Sequence, residues 1–90
     1  MKFLVLGRFV PDADHDTRMD DERRRVRELK DSGVLEQAFR KADKSGAYLI
    51  FNASSIEEVE RAISSLPFVQ EGIMVADIEE IESLEFIWSS

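Results

Sequence analysis

Only a few side chains in this sequence could transfer a proton near neutral pH, and the single histidine is the first of them. His15 lies in a polar stretch between two aspartates, and histidine is the residue type whose ordinary pKa lies nearest neutrality. We therefore consider His15 a candidate general acid or base, with Glu36 as an alternative base. A solvent-exposed loop histidine without a catalytic role is the other interpretation.

Arginine and tyrosine side chains could hold an acidic substrate. Arg23 and Arg27 are four residues apart, which places them on one face of a helix, and Arg8 and Arg40 fall in predicted strands. A guanidinium binds a carboxylate through two parallel hydrogen bonds, and the hydroxyl of Tyr48 could orient a further substrate oxygen. For the helix arginines, ordinary surface ion pairs with neighbouring carboxylates are the alternative interpretation.

Metal sites are disfavoured by both spacing and composition. Asp12, Asp14 and Asp16 are spaced like the first ligands of a calcium loop, but Thr17 and Arg23 stand where that loop needs glycine and glutamate. The chain has no cysteine and one histidine, which excludes disulfides, thiolate metal sites and thiol catalysis. It also lacks a glycine-rich phosphate loop. We therefore expect neither a metal nor a cofactor.

The charge balance and length exclude several classes of function. The 90 residues include 12 Lys and Arg against 19 Asp and Glu, which gives a formal net charge of −7. Proteins that bind nucleic acids or anionic membranes need a basic surface, so we expect neither partner. No apolar run approaches the roughly 18 residues of a membrane helix, and no cleavable leader is recognisable. We predict one cytoplasmic domain over residues 1–90.

The elements that must position these side chains are predicted in the order β-α-β-β-α-β. Apolar runs between turn signals predict strands over residues 3–10, 34–42, 47–52 and 72–78. A charged stretch with a thin apolar stripe predicts the first helix over residues 17–31. Gly7, inside the first strand, predicts a bulge or a close approach by another group.

The second helix has the clearest start signal in the chain. Ser55 followed by Glu58 is a capping box, and Ser54 with Glu57 offers the same pattern one residue earlier. Pro67 is expected to end the helix. The apolar residues between recur on one helical face: Ile56, Val59, Ile63 and Leu66.

This order of elements predicts an α+β, ferredoxin-like domain in which both helices cover one face of an antiparallel four-stranded sheet. Segments 47–52 and 72–78 carry apolar side chains on both faces of their strands. The uncovered sheet face therefore needs a partner, and a second copy of the sheet is the most economical one. We predict a homodimer or a higher homo-oligomer.

Residues 79–90 form a predicted C-terminal extension. A disordered tail rarely holds many large apolar residues, so we expect this one to dock on a neighbouring subunit. Its apolar spacing fits a short strand and a helical turn about equally well. Its large apolar residues are Ile81, Leu84, Phe86, Ile87 and Trp88.

Several segments of the chain resemble the muconolactone isomerase-like proteins. They are Gly33, Phe39-Arg40, the strand 46–51, Ser54-Ser55 with Glu58, and Leu66-Pro67-Phe68-Val69. Segment 67–73 is also similar to the YCII-related proteins, although their first-helix histidine has no counterpart here. Both families belong to the dimeric α+β barrel superfamily, so the resemblance implies that fold and a pocket between the helices and the sheet.

Two hypotheses of function follow from the residues and the resemblance. The first is a cofactor-independent, isomerase-like enzyme that binds a small, partly apolar, carboxylate-bearing compound. His15 or Glu36 would move the proton, and Arg8, Arg40 and Tyr48 would hold the substrate. The alternative is a non-catalytic ligand-binding or accessory protein with the same fold, since one fold hosts many functions.

Overall fold

Four antiparallel strands form a single sheet, and helices cover one of its faces. In the computed structural model, which describes residues 1–89, the sheet order is β2-β3-β1-β4. The elements are β1 (Lys2–Phe9), α1 (Met19–Asp31), β2 (Leu35–Arg40), β3 (Gly46–Asn52), α2 (Ile56–Ser64), α3 (Pro67–Gln70), β4 (Met74–Ile81) and a 3-10 turn (Glu85–Ile87). The predicted α+β class and ferredoxin-like order are confirmed.

Alternation along the strands separates the core from the second face of the sheet. In β1, Phe3 and Val5 are fully buried, and they pair with Phe51 and Leu49 of β3. Paired residues share a face, so these side chains form the side on which the helices pack. Val59 of α2 is fully buried in the same core.

The start of α2 confirms the predicted capping box. The hydroxyl of Ser55 accepts a hydrogen bond from the Glu58 N–H at 3.3 Å, and the Glu58 carboxylate accepts from the Ser54 N–H at 3.1 Å. The helix ends at Ser64, before the expected stop at Pro67. Pro67 instead begins α3, because a proline at the first helical position loses no hydrogen bond that a helix would make.

The strand β4 extends further than the sequence pattern predicted. It begins at Met74 and continues to Ile81, which pairs with Lys2 at the start of β1. The first part of the predicted extension is therefore sheet. Glu79 lies opposite Leu4 on the face that no helix covers, and it is exposed in the single chain.

Another group approaches Gly7 closely, as predicted: a Cβ there would lie 2.7 Å from the Met74 sulfur. Gly7 pairs with Ala47 in β3, and the neighbouring Gly46 lies so close that an added Cβ would be 2.1 Å from the Gly7 carbonyl oxygen. Only a residue without a side chain fits at Gly46, so the two glycines let β1 and β3 meet at this end.

The open face of the sheet, on the side opposite the helices, carries apolar side chains. Leu4 and Leu6 of β1 lie there with their β3 partners Ile50 and Tyr48. Phe39 of β2 is 55% exposed on the same face. The prediction that the strands are apolar on both faces is confirmed, and the homodimer inferred from it stays a prediction.

The segment after β4 contains a 3-10 turn. Of the two predicted local structures, a short strand and a helical turn, the structure therefore has the helical turn. The four large apolar side chains of this segment, Leu84, Phe86, Ile87 and Trp88, are 57–71% exposed in the single chain. Docking on a neighbouring subunit therefore stays a prediction. Within residues 1–89, the structure has no helix whose length and apolar character suffice to cross a membrane.

Candidate active site

A largely apolar cavity of about 290 Å³ lies between α1 and the sheet. Its walls come from α1, α3 and all four strands. Among its charged side chains are Glu22, Arg23 and Arg40. Apolar walls with a few convergent polar groups are typical of small-molecule sites. The apolar walls include Phe9, Val26, Leu49, Phe68 and Met74.

Among residues 1–89, Glu22 is the one charged residue that is buried, with only 8% of its surface exposed. Its Oε1 accepts a hydrogen bond of 2.9 Å from the backbone N–H of Phe68. That N–H lies in the first turn of α3, where helix N–H groups have no partner of their own. Burial raises the pKa of Glu22, while the Phe68 N–H and the charge of Arg18 partly offset this effect. The result is a carboxyl that is held in place by a backbone hydrogen bond and has a pKa above its usual value.

The two arginines of the cavity are available for a ligand. Within residues 1–89, Arg23 and Arg40 form no ion pair with a carboxylate. In contrast, Arg24 is paired with Asp21, and Arg25 is paired with Glu28. Both arginines line the cavity and are exposed to solvent, and a guanidinium can bind a carboxylate bidentately.

His15 lies beside the cavity, although it is not part of its wall. Its ring centroid is 4.5 Å from that of Phe9 and 5.9 Å from that of Phe68, two residues that line the cavity. The loop is held by Asp14, whose carboxylate accepts hydrogen bonds from the Asp16 N–H and the Thr17 hydroxyl. These hydrogen bonds lower the pKa of Asp14.

The other three predicted site residues are placed away from this cavity. Tyr48 pairs with Leu6, and Arg8 pairs with Val75, all on the open face. Glu36 forms an ion pair with Lys2, whose Nζ lies 3.1 Å from the carboxylate. Of the predicted residues, the structure therefore brings together only Arg40 and, at the edge, His15. Contacts of the other three with a substrate stay predictions that require a ligand on the open face.

Glu22 was missed by the sequence analysis, although its position carried a signal. The apolar stripe of α1 consists of Met19, Val26 and Leu29, and Glu22 lies on the same face at helical spacing. It looked like one of several acidic residues that favour a helix start. An acidic residue within an apolar stripe is the pattern that indicates a buried carboxyl.

Metal ligands are not gathered anywhere in residues 1–89, where no group of three His, Asp or Glu side chains could hold an ion. Asp14 uses its oxygens for the loop hydrogen bonds described above. The cavity itself contains one carboxylate among two arginines. This donor set suits an organic anion and not a divalent cation.

Comparison with known proteins identifies the family to which this chain belongs. The family model described as muconolactone delta-isomerase matches residues 2–85. The chain belongs to the muconolactone delta-isomerase family. This confirms the predicted resemblance to muconolactone isomerase-like proteins of the dimeric α+β barrel superfamily. No curated protein sequence matches the chain.

Two solved structures show the fold shared with this family. Muconolactone isomerase, solved at 3.3 Å resolution, is 21% identical, covers 100% of this chain and 98% of its own, and has a TM-score of 0.78. The 5-chloro-2-hydroxyhydroquinone dehydrochlorinase TftG from Burkholderia phenoliruptrix, in complex with 2,5-dihydroxybenzoquinone, is also 21% identical. It covers 96% of this chain and 98% of its own, with a TM-score of 0.74. At this identity the likeness shows the fold alone.

Proposed function

We propose that the protein is an isomerase-like enzyme that moves a proton on a small, partly apolar, carboxylate-bearing compound. The observation that carries this proposal is Glu22, a buried carboxyl with a raised pKa that faces a cavity beside two unpaired guanidinium groups. Such a carboxyl is a better general base than an exposed one, because its pKa lies closer to the operating pH.

The proposed mechanism uses the described side chains directly. Arg40 and Arg23 hold the carboxylate of the substrate, and the apolar walls take its hydrocarbon part. Glu22 removes a proton from the carbon γ to the carbonyl of an α,β-unsaturated lactone and delivers a proton to the α carbon, so that the double bond moves from the α,β to the β,γ position. The negative charge that develops on the carbonyl oxygen is stabilised by a guanidinium.

Each step of this mechanism balances without another reactant. Glu22 takes one proton from the substrate, exchanges it with water, and delivers one proton to another carbon, so that no proton and no electron is gained or lost overall. The Phe68 N–H keeps one oxygen of Glu22 in place, which leaves the other oxygen to accept the proton. His15, beside the cavity, is the second candidate for a proton-transferring group.

The relatives support this choice of chemistry. The family model is named for the isomerisation of muconolactone, so muconolactone is the first substrate to test. We also propose that the protein is a cytoplasmic homo-oligomer, because the apolar open face of the sheet and the apolar tail are both uncovered in a single chain.

Deuterium exchange tests the proposed function. The protein is incubated with muconolactone in D2O, and NMR follows deuterium incorporation and movement of the double bond. We expect both with the wild-type protein, and a rate about 10²–10⁴-fold lower with Glu22→Gln, the usual contribution of a general acid or base. Glu28→Gln is the matched control, since Glu28 is an exposed carboxylate of the same helix.

Two results would contradict the proposal. Exchange at equal rates in wild type and Glu22→Gln would remove Glu22 from the mechanism. Binding of muconolactone with neither deuterium incorporation nor movement of the double bond would favour the alternative hypothesis, a non-catalytic ligand-binding protein.

A further inference from the structure

Two polar contacts flank the hydrogen bond that holds the proposed base. Arg18, immediately before α1, forms an ion pair with Glu71, the residue that follows α3. Arg25 of α1 donates from Nε to the hydroxyl of Ser65 at 2.8 Å. Both contacts join the first half of α1 to segment 65–71, and together they are called the α1 clamp.

The clamp contacts and the hydrogen bond between them follow the two segments in opposite directions. Along α1 they fall at residues 18, 22 and 25, which is the spacing of one face of a helix. Along the other segment they fall, in the same order, at residues 71, 68 and 65. The two segments therefore run antiparallel, and Glu22 lies at the middle contact.

The short helix α3 cannot fix this middle contact by itself. It has four residues, and the side chain of its N-cap residue, Leu66, cannot accept the Phe68 N–H. A single helical turn is not stable alone, so its position depends on what it packs against. The buried side chains of Leu66 and Phe68 keep it on the core, but apolar contacts have no preferred direction. Hydrogen bonds and guanidinium pairs do have one.

We infer that Arg18 and Arg25 are positioning residues for Glu22. They fix the register of α1 against segment 65–71, so that one carboxylate oxygen meets the Phe68 N–H and the other stays free for the substrate. This inference rests on the proposed function, in which Glu22 is the base. Neither arginine lines the cavity, so each acts through Glu22 and not on the substrate.

Ordinary surface ion pairs are the alternative explanation of these contacts, since exposed pairs contribute little to stability. The choice of partners argues against it. Arg24, on another face of α1, pairs with Asp21 of its own helix. Arg18 and Arg25, on the face of Glu22, reach partners 53 and 40 residues away in the chain.

The amide proton of Phe68 reports the position of Glu22 directly. Because this N–H donates to the Glu22 carboxylate, its NMR shift should follow the ionisation of Glu22 when isotope-labelled protein is titrated with acid. Glu22→Gln identifies that step, since it leaves the titration of His15, whose ring centroid is 5.9 Å from that of Phe68, in place. The arginines stay charged throughout.

Glu71→Gln and Arg25→Gln break the clamp on opposite sides of Glu22. We expect each variant to reduce the Glu22-linked shift of the Phe68 amide, and the double variant to remove it. The double variant should also lower kcat for muconolactone by up to about 10²-fold, the effect that a displacement of about 1 Å can have. KM should change little, because neither residue lines the cavity.

Two variants of α1 are the matched controls. Glu28→Gln and Arg24→Gln each remove one charge and one ion pair within α1, but no contact with segment 65–71. Both should keep the Phe68 shift and kcat. Arg25→Lys, which can still donate to Ser65, should recover part of what Arg25→Gln loses.

The possible failures are distinguishable. An unchanged Phe68 shift in the double variant overturns the inference, and so does a normal kcat in a double variant that has lost the shift; the proposed function then stands on the activity of the wild type. If the double variant does not fold, the same criteria apply to the two single variants. If the wild type moves no double bond but the clamp variants lose the Phe68 shift, the proposed function fails and the positioning of the Glu22 carboxyl stands.

Discussion

Glu22 carries a free-energy cost in the folded protein when it is ionised. Its environment is buried and mostly apolar, and one backbone N–H compensates only part of the lost hydration. The arginines that line the same cavity are unpaired in the described chain. Charged groups that destabilise the folded protein when no ligand is bound, and that interact with a bound ligand, are common in active sites.

Replacing Glu22 should make the protein more stable at neutral pH. Because burial raises the pKa of Glu22, its contribution to stability is full below its unfolded pKa and is lost as pH rises through its folded pKa. Glutamine does not titrate and can still accept the Phe68 N–H. Denaturant unfolding should therefore show Glu22→Gln above wild type in unfolding free energy at neutral pH, with the difference closing as pH falls. A variant less stable than wild type at neutral pH would contradict this account.

At the scale of single elements, α2 offers a test of the capping box. The Ser55 hydroxyl accepts the Glu58 N–H, whereas Ser54 donates to the Glu58 carboxylate. We expect Ser55→Ala to lower the free energy of unfolding by about 1 kcal/mol, the usual loss for an N-cap. Ser54→Ala is the comparison, and the double variant shows whether Ser54 replaces the lost cap. No shift in a denaturant melt of Ser55→Ala would contradict the assignment of the cap.

The contact between β1 and β3 gives a second test at this scale. A Cβ at Gly46 would lie 2.1 Å from the Gly7 carbonyl oxygen, so the backbone would have to move. We expect Gly46→Ala to destabilise by about 1–3 kcal/mol, the usual cost of overpacking. In Gly7→Ala the new Cβ would meet the flexible Met74 thioether at 2.7 Å, so its loss should be smaller. Equal thermal melts for Gly46→Ala and wild type would show that the two strands are further apart.

Local signals predicted the elements well, but they did not predict the site. The capping box at Ser55 and the two-faced apolar pattern of β3 depend on neighbours in sequence, so both were predictable from the pattern. The cavity depends on contacts between distant segments, such as the Phe68 N–H with the Glu22 carboxylate. Tyr48 shows the same limit, since strand alternation separates two faces but does not say which one the helices cover.

At the scale of the whole molecule, the uncovered apolar surface predicts an assembly. The open face of the sheet and the side chains after β4 are both exposed in one chain. An exposed apolar surface of this kind marks an interaction site in a soluble protein. Sedimentation equilibrium at micromolar concentration should show at least a dimer, whereas a folded monomer would contradict the prediction.

The tail after β4 can be tested separately from the sheet. Deleting residues 82–90 leaves β4 complete and should lower the oligomer mass or its stability, because the tail is expected to dock on a neighbour. Trp88, the only tryptophan, reports on this contact directly. Its fluorescence emission should be shifted to shorter wavelength in the intact protein, and emission equal to that in urea would show that the tail is solvated.

The most direct test of the central claim is a carboxyl-carbon NMR titration of Glu22, with and without muconolactone. The Glu22→Gln variant assigns the signal. The account predicts that burial raises the pKa of Glu22 above the model-peptide value of glutamate in the free protein. Muconolactone should move its pKa further upward, because a bound anion and the loss of water both disfavour the charged form. Titration of Glu22 at the value of a glutamate in a model peptide, and no response to muconolactone, would contradict the claim that this carboxyl faces the substrate site.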